Sequence, residues 1–165
     1  MLIFCPKDTI LYEYFSAVTQ NDSDKLLHNS FIYTIFEILF KHFLMNIEEI
    51  RNYCLSLTGA IEDFPFDEVS LVFKVGGKMF ALVDLEDTSW INLKCEPELA
   101  ITLREEYSAI TPGYHMNKKH WNTVHIDGSF SHKLLIEWIN HSYWMVRNSL
   151  TKAKKRELDL METRG

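Results

Sequence analysis

An α+β sandwich, with helices packed on one face of an antiparallel sheet, is the fold class that this 165-residue sequence predicts. Short segments of alternating polarity follow one another through local connections, which favours antiparallel pairing over helical crossovers. Gly76-Gly77 separates two of these segments by two residues, the spacing of a tight hairpin. Segments of helical periodicity precede, interrupt and follow the strands, giving the order α-β-β-β-α-β-α after an N-terminal extension. A composition of 47% hydrophobic and 24% charged residues is ordinary for one globular domain with a substantial core.

The first 44 residues differ from the rest: they are rich in Phe, Ile, Leu, Tyr and Asn and contain no Gly. Phe31, Ile35, Ile38, Leu39 and Phe43 recur at helical spacing, which is compatible with an extra helix. Met45, however, stands directly before Asn46-Ile47-Glu48-Glu49, an N-cap residue with Glu at the third helical position. That placement makes Met45 the expected translation start, with residues 1–44 an upstream reading artefact or a lineage-specific extension. The most membrane-like run, Phe31 to Leu44, carries Glu37, Lys41 and His42 and is too short and too charged to span a bilayer.

The elements follow in order. Asn46 to Leu57 is an amphipathic helix stopped by Thr58-Gly59. Glu62 to Asp67 reads as a loop with two aromatic anchors, Phe64 and Phe66. Val69–Val75 and Lys78–Leu85 form the hairpin, because glycine accepts the positive φ of its turn. Trp90 to Cys95 is a third strand, with Ile91, Leu93 and Cys95 on one face. Pro97 suits a first helical position, and Leu99, Ala100, Leu103 and Tyr107 make that helix's buried stripe. Thr111-Pro112-Gly113 breaks the chain before a strand from Trp121 to Ile126. A long helix runs from about Ser131 to Leu150, with Leu135, Trp138, Ile139, Ser142, Met145 and Val146 inward. Lys152, Lys154 and Lys155 open a polar tail. The domain is expected to span 45–158, with 159–165 as its polar end.

Charge is unevenly distributed within a total of −6. Met45 to Pro112 holds five Lys/Arg against thirteen Asp/Glu, whereas Gly113 to Gly165 holds nine against five. Such asymmetry has two readings, an anion-facing surface or solvated charge distributed by chance. Cys5, Cys54 and Cys95 are scattered without a CxxC pair, so neither a disulfide framework nor a zinc spacing is present. That usage fits a reducing cytoplasm.

The run Pro112 to Val124 concentrates the residues able to hold a ligand. Lys118 and Lys119, with Lys74, Lys78 and Lys94, can neutralise phosphates; Asn117 and Asn122 can donate to them. Tyr114, His120 and Trp121 can stack on a base or sugar. The competing structural reading makes Trp121 and Tyr114 core anchors and leaves the lysines solvated. Five of the seven histidines lie between His115 and His141, but the five-residue spacings of His115, His120 and His125 match no metal motif. A solvated face accounts for Glu48, Glu49, Glu62, Asp63, Asp67 and Glu68 better than an iron-binding ridge does. No nucleophile elbow, phosphate loop or dinucleotide fingerprint occurs, so no enzyme, cofactor or metal is expected. Trp144 beside Arg147 falls off the core stripe of the last helix and offers an anchor for a protein partner.

Phe64-Pro65-Phe66, the run Phe73 to Leu82 around Gly76-Gly77, Asn92-Leu93-Lys94-Cys95 and the Pro112 to Val124 run together resemble the MmcQ/YjbR family, from Met45 to roughly Leu158. The resemblance implies a fold similar to the bacterial frataxin CyaY and a DNA-binding role. The expected function is therefore DNA binding through a basic, aromatic-flanked turn from Tyr114 to Trp121. The site would comprise Lys78, Lys94, Tyr114, Asn117, Lys118, Lys119, His120 and Trp121. The alternative is a non-catalytic module that binds a protein or small anion with the same surface.

Overall fold

The computed structural model of the protein describes residues 46–163. The expectations for the N-terminal extension, its helix and the start at Met45 concern residues outside that range. The elements are α1 (Ile47–Ser56), β1 (Ala60–Asp63), β2 (Ser70–Val75), β3 (Lys78–Asp84), β4 (Trp90–Lys94), α2 (Pro97–Glu106), β5 (Ile110–Pro112), β6 (Trp121–His125), α3 (His132–Asn148) and α4 (Lys152–Glu162). The strands form one antiparallel sheet in the order β1-β2-β3-β4-β6-β5. The α+β sandwich expected from the sequence is the fold observed.

Local signals start and stop these elements as anticipated. Asn46 and Glu49 form a reciprocal capping box on α1: the Glu49 N–H donates to Asn46 Oδ1 at 2.9 Å. Gly76 and Gly77 both take positive φ, 58° and 83°, to close the β2–β3 hairpin. Pro97 begins α2. Ser131 caps α3 by accepting the Leu134 N–H.

Cross-strand register sorts the sheet into two faces. Val83, Ile91 and Val124 lie in line across β3, β4 and β6, as do Ala81 and Leu93, and all belong to the main core. Helix α3 covers this face across β2, β3 and β4, with Leu135, Ile139, Tyr143 and Val146 buried against it. Helix α1 packs on β1 and α2 on β5. The intervening positions Leu82, Asn92 and Thr123 point to the other face.

Three elements add to the order read from the sequence. Strand β1 holds one sheet edge with polar residues satisfied across it: Arg51 bonds Glu62 at 2.6 Å and Lys74 pairs with Asp63. Charged pairs of this kind blunt an exposed edge. Strand β5 is only three residues long and ends at Pro112. The expected polar tail is helix α4, capped by Thr151 and docked through Leu158 and an ion-pair contact rather than through an apolar stripe.

Other details differ as well. Phe64 and Phe66 are exposed rather than anchored, and Leu99 lies on the outer side of α2. Arg147 is buried, 6% exposed, instead of lying on the surface with Trp144. Its Nη2 donates to Asp159 Oδ1 at 2.7 Å and Glu162 Oε2 at 3.1 Å, and its guanidinium lies 4.5 Å from the Trp144 ring centre. Trp144 itself is 46% exposed. No helix among the described residues is long and apolar enough to cross a membrane.

Candidate functional site

The segment joining β5 to β6 makes two successive turns, the first of which lies over Asn92 and Thr123 on the sheet face opposite the helices. The Met116 N–H donates to Gly113 O at 3.2 Å, and the His120 N–H donates to Asn117 O at 3.0 Å. The Gly113 N–H extends the ladder to Trp121 O at 2.9 Å. A Cβ on Gly113 would lie 2.8 Å from the Trp121 Cβ and 3.0 Å from its carbonyl oxygen, so only glycine lets the chain pass there.

The first turn rests on a buried polar pair. Asn92 and Thr123 face each other across β4 and β6. Thr123 Oγ1 donates to Asn92 Oδ1 at 2.6 Å and accepts the Tyr114 N–H at 2.8 Å. Asn92 Nδ2 donates to Tyr114 O at 3.1 Å. Both backbone polar groups of Tyr114 are thus held by side chains from the sheet, while the residue stays 59% exposed. The Tyr114 ring stands edge-on to Trp90, centroids 5.9 Å apart, and lies 4.1 Å from the His115 ring. His115 takes a φ of 54°, a left-handed value costly for a side chain with a Cβ. Trp90 is fixed in turn by its Nε1, which donates to Asp87 Oδ2 at 3.1 Å. The Ser89 hydroxyl bonded to Asp87 helps hold that carboxyl below the usual range.

The second turn carries the lysines. Asn117 Oδ1 accepts the Lys119 N–H at 3.0 Å, so the oxygen of this side chain shapes the turn. Lys118 and Lys119 are exposed, and neither forms an ion pair among the described residues. Arg104 of α2 pins the turn from below: its guanidinium donates to Asn122 Oδ1, Trp121 O and Lys118 O.

The expected site residues therefore part company. Tyr114, Asn117, Lys118 and Lys119 share one segment, with His120 half-buried at its end and its carbonyl accepting the Cys95 N–H. Trp121 is packed into the structure, 7% exposed, with Lys94 Nζ 5.9 Å from its ring centre. Asn122 is buried and consumed by Arg104 and Ala100 O. Lys78 is not brought to the turn. It pairs with core-facing Val75, and its Nζ caps α3 by donating to Ser149 O and Oγ. Lys74 is engaged by Asp63.

Sequence reasoning passed over Trp90, Arg104 and the pairing of Asn92 with Thr123 as parts of this region. Asn92 between Ile91 and Leu93 at the centre of β4 was the available signal for that pair. It also passed over Cys95, Glu96 and His141, whose ligand-type atoms lie within 4.8 Å of one another. His141 Nε2 bonds Glu96 Oε2 at 2.5 Å, tying α3 to the start of α2. Burial pushes the Cys95 thiol up to about 11, so it stands protonated beside them.

Comparison with known proteins agrees with these features. The YjbR family model matches residues 55–145, which include the hairpin, the double turn and most of α3. The chain belongs to the YjbR family. It is 35% identical over 115 residues to YjbR of Escherichia coli K12, covering 69% of this chain and 98% of that one. YbdF of Escherichia coli O157:H7 is 40% identical over 96 residues, 58% of this chain and 79% of its own. Among solved structures, the Deinococcus radiodurans protein DR2400, of domain class DUF419, superposes with a TM-score of 0.65 at 40% identity, over 69% of this chain and 88% of that one. A Pseudomonas syringae protein superposes at 0.53 with 28% identity, over 62% and 99% of the two chains.

Proposed function

We propose that this YjbR-family protein binds DNA, contacting backbone phosphates through the turn Asn117–Lys119. The observation that carries the proposal is the pair Lys118 and Lys119, exposed and without an acidic partner among the described residues, on a turn whose backbone is pinned by Arg104 and Asn117. Unpaired ammonium groups neutralise phosphates without first breaking an internal pair, and each contact releases condensed counterions. Backbone phosphate contacts position a protein without reading sequence, which fits a site where the Asn122 carboxamide is used at both ends inside the fold.

Fluorescence anisotropy with a labelled duplex tests this directly. Micromolar affinity that falls sharply between about 50 and 200 mM salt is expected. The double substitution Lys118→Ala, Lys119→Ala should weaken binding and reduce the salt slope by about 2, with thermal stability unchanged. Absence of binding to duplex and to single strand alike at low salt, or unchanged affinity in the double variant, would remove this turn from a DNA-binding role.

A further inference from the structure

We propose further that Tyr114 is a base-stacking platform, so that the nucleic acid preferred at this site is single-stranded with its bases unpaired. This rests on the DNA-binding proposal above and specifies its substrate. An aromatic ring 59% exposed on a loop would ordinarily be mobile and contribute little. Here the ring's own backbone is bonded at both N–H and C=O to Thr123 and Asn92, side chains 2% and 1% exposed inside the sheet. Buried polar side chains spent on one exposed residue's main chain fix where that ring stands.

The neighbours fix its tilt. Trp90 meets it at an interplanar angle of 75°, and Trp90 is itself anchored by Asp87. His115 packs against it as well, with ring centroids 4.1 Å apart, and holds a left-handed φ of 54°. A strained backbone at an exposed position persists only where its surroundings over-determine it. The result is a preorganised aromatic surface three residues before the phosphate-directed turn.

That arrangement suits one nucleic-acid form better than the other. Bases in a duplex have their faces stacked on neighbours and present only edges and backbone. A single strand offers every base's face to an aromatic ring while its phosphates follow a basic track. Ring stacking is tolerant of base identity, so a general single-strand preference is expected rather than a sequence code.

The test uses the full chain and three labelled 12-mers: oligo-dT, an abasic strand of the same length, and a duplex. Oligo-dT is expected to bind tightest. Tyr114→Ala should weaken it about tenfold, and Tyr114→Phe should retain it, since the ring and not the hydroxyl is used. Equal affinity for abasic and dT strands, or tightest binding to duplex, would overturn the stacking platform and leave the phosphate contacts standing. A Tyr114→Ala variant with unaltered oligo-dT affinity would also overturn it. If none of the three binds at low salt, both proposals fall together.

Discussion

Arg104 holds Asn122: its Nε donates to the carboxamide Oδ1 at 2.7 Å, while Asn122 Nδ2 donates back to Ala100 O at 3.3 Å. Helix α2 is thereby joined to strand β6 at the foot of the basic turn, and two further donors from the same guanidinium meet the carbonyls of Lys118 and Trp121. A forked, planar donor set is needed to satisfy three acceptors that point in different directions.

Arg104→Ala should therefore destabilise the domain by about 2 kcal/mol, since it leaves the buried Asn122 carboxamide oxygen without its donor. Arg104→Lys should recover little of that loss, because a point ammonium cannot reach three acceptors at once. Urea denaturation of the two variants measures both. Full recovery by lysine would mean that charge, not geometry, is what the site requires.

Arg147 supplies a second prediction. Its side chain is buried, but its partners Asp159 and Glu162 remain substantially exposed. Either acid alone can keep the guanidinium paired, so Asp159→Asn or Glu162→Gln should each cost under about 1 kcal/mol. Removing both strands a buried charge, and the double variant should lose about 2 kcal/mol or more. The excess over the two single losses, read from a double-mutant cycle, is the diagnostic quantity. Simple additivity would show that water already satisfies Arg147 when α4 is docked.

The main helices and the central strands were legible because each carries its own local signal: a capping box at Asn46, a glycine pair at Gly76-Gly77, a proline at Pro97 and an apolar stripe in α3. What the sequence concealed depends on distant partners. Strand β1 is a strand only because β2 offers it an edge and Arg51 and Lys74 take up its acids. Helix α4 turns on one buried leucine, Leu158, and on Arg147 reaching across from α3. The same limit applies at the site. Lysines in a turn could be read as exposed, but nothing local distinguishes Asn117, which shapes the turn, from Asn122, which is locked beneath it. Lys78 shows the converse, since a strand-end lysine looks available until the C-terminus of α3 arrives beside it.

Thiol chemistry gives a third prediction. Burial pushes Cys54 up to about 12 and Cys95 to about 11. At pH 8 the thiolate fractions are on the order of one in ten thousand and one in a thousand, and both sulfurs are also shielded from reagent. Iodoacetamide applied to the native protein should leave the peptides containing Cys54 and Cys95 unmodified, and urea should expose both. Rapid native labelling of Cys95 would mean that the junction between β4 and α2 opens on the time scale of the reaction.

Acid should destabilise the β1 edge in two distinguishable steps. The Arg51 guanidinium bonded to Glu62 holds that carboxyl below its ordinary range, and Lys74 does the same for Asp63. At Asp67 the cause is different: the Ser70 backbone N–H and then its hydroxyl hold the carboxylate. In all three the folded value lies below the unfolded one, so the unfolded chain takes up protons first as pH falls. Their contribution to stability is complete above the ordinary carboxyl range and is lost as pH drops through the depressed folded values. These groups are solvent-facing, so salt should screen the two ion pairs but not the Asp67 hydrogen bonds. Urea midpoints measured from pH 7 to pH 3 should fall in acid, and the fall should be shallower for Glu62→Gln. Repeating the series at about 0.5 M salt should shrink the part removed by Glu62→Gln and leave the part removed by Asp67→Asn. An acid limb identical in wild type and Glu62→Gln would show that the Arg51–Glu62 pair contributes nothing to the fold.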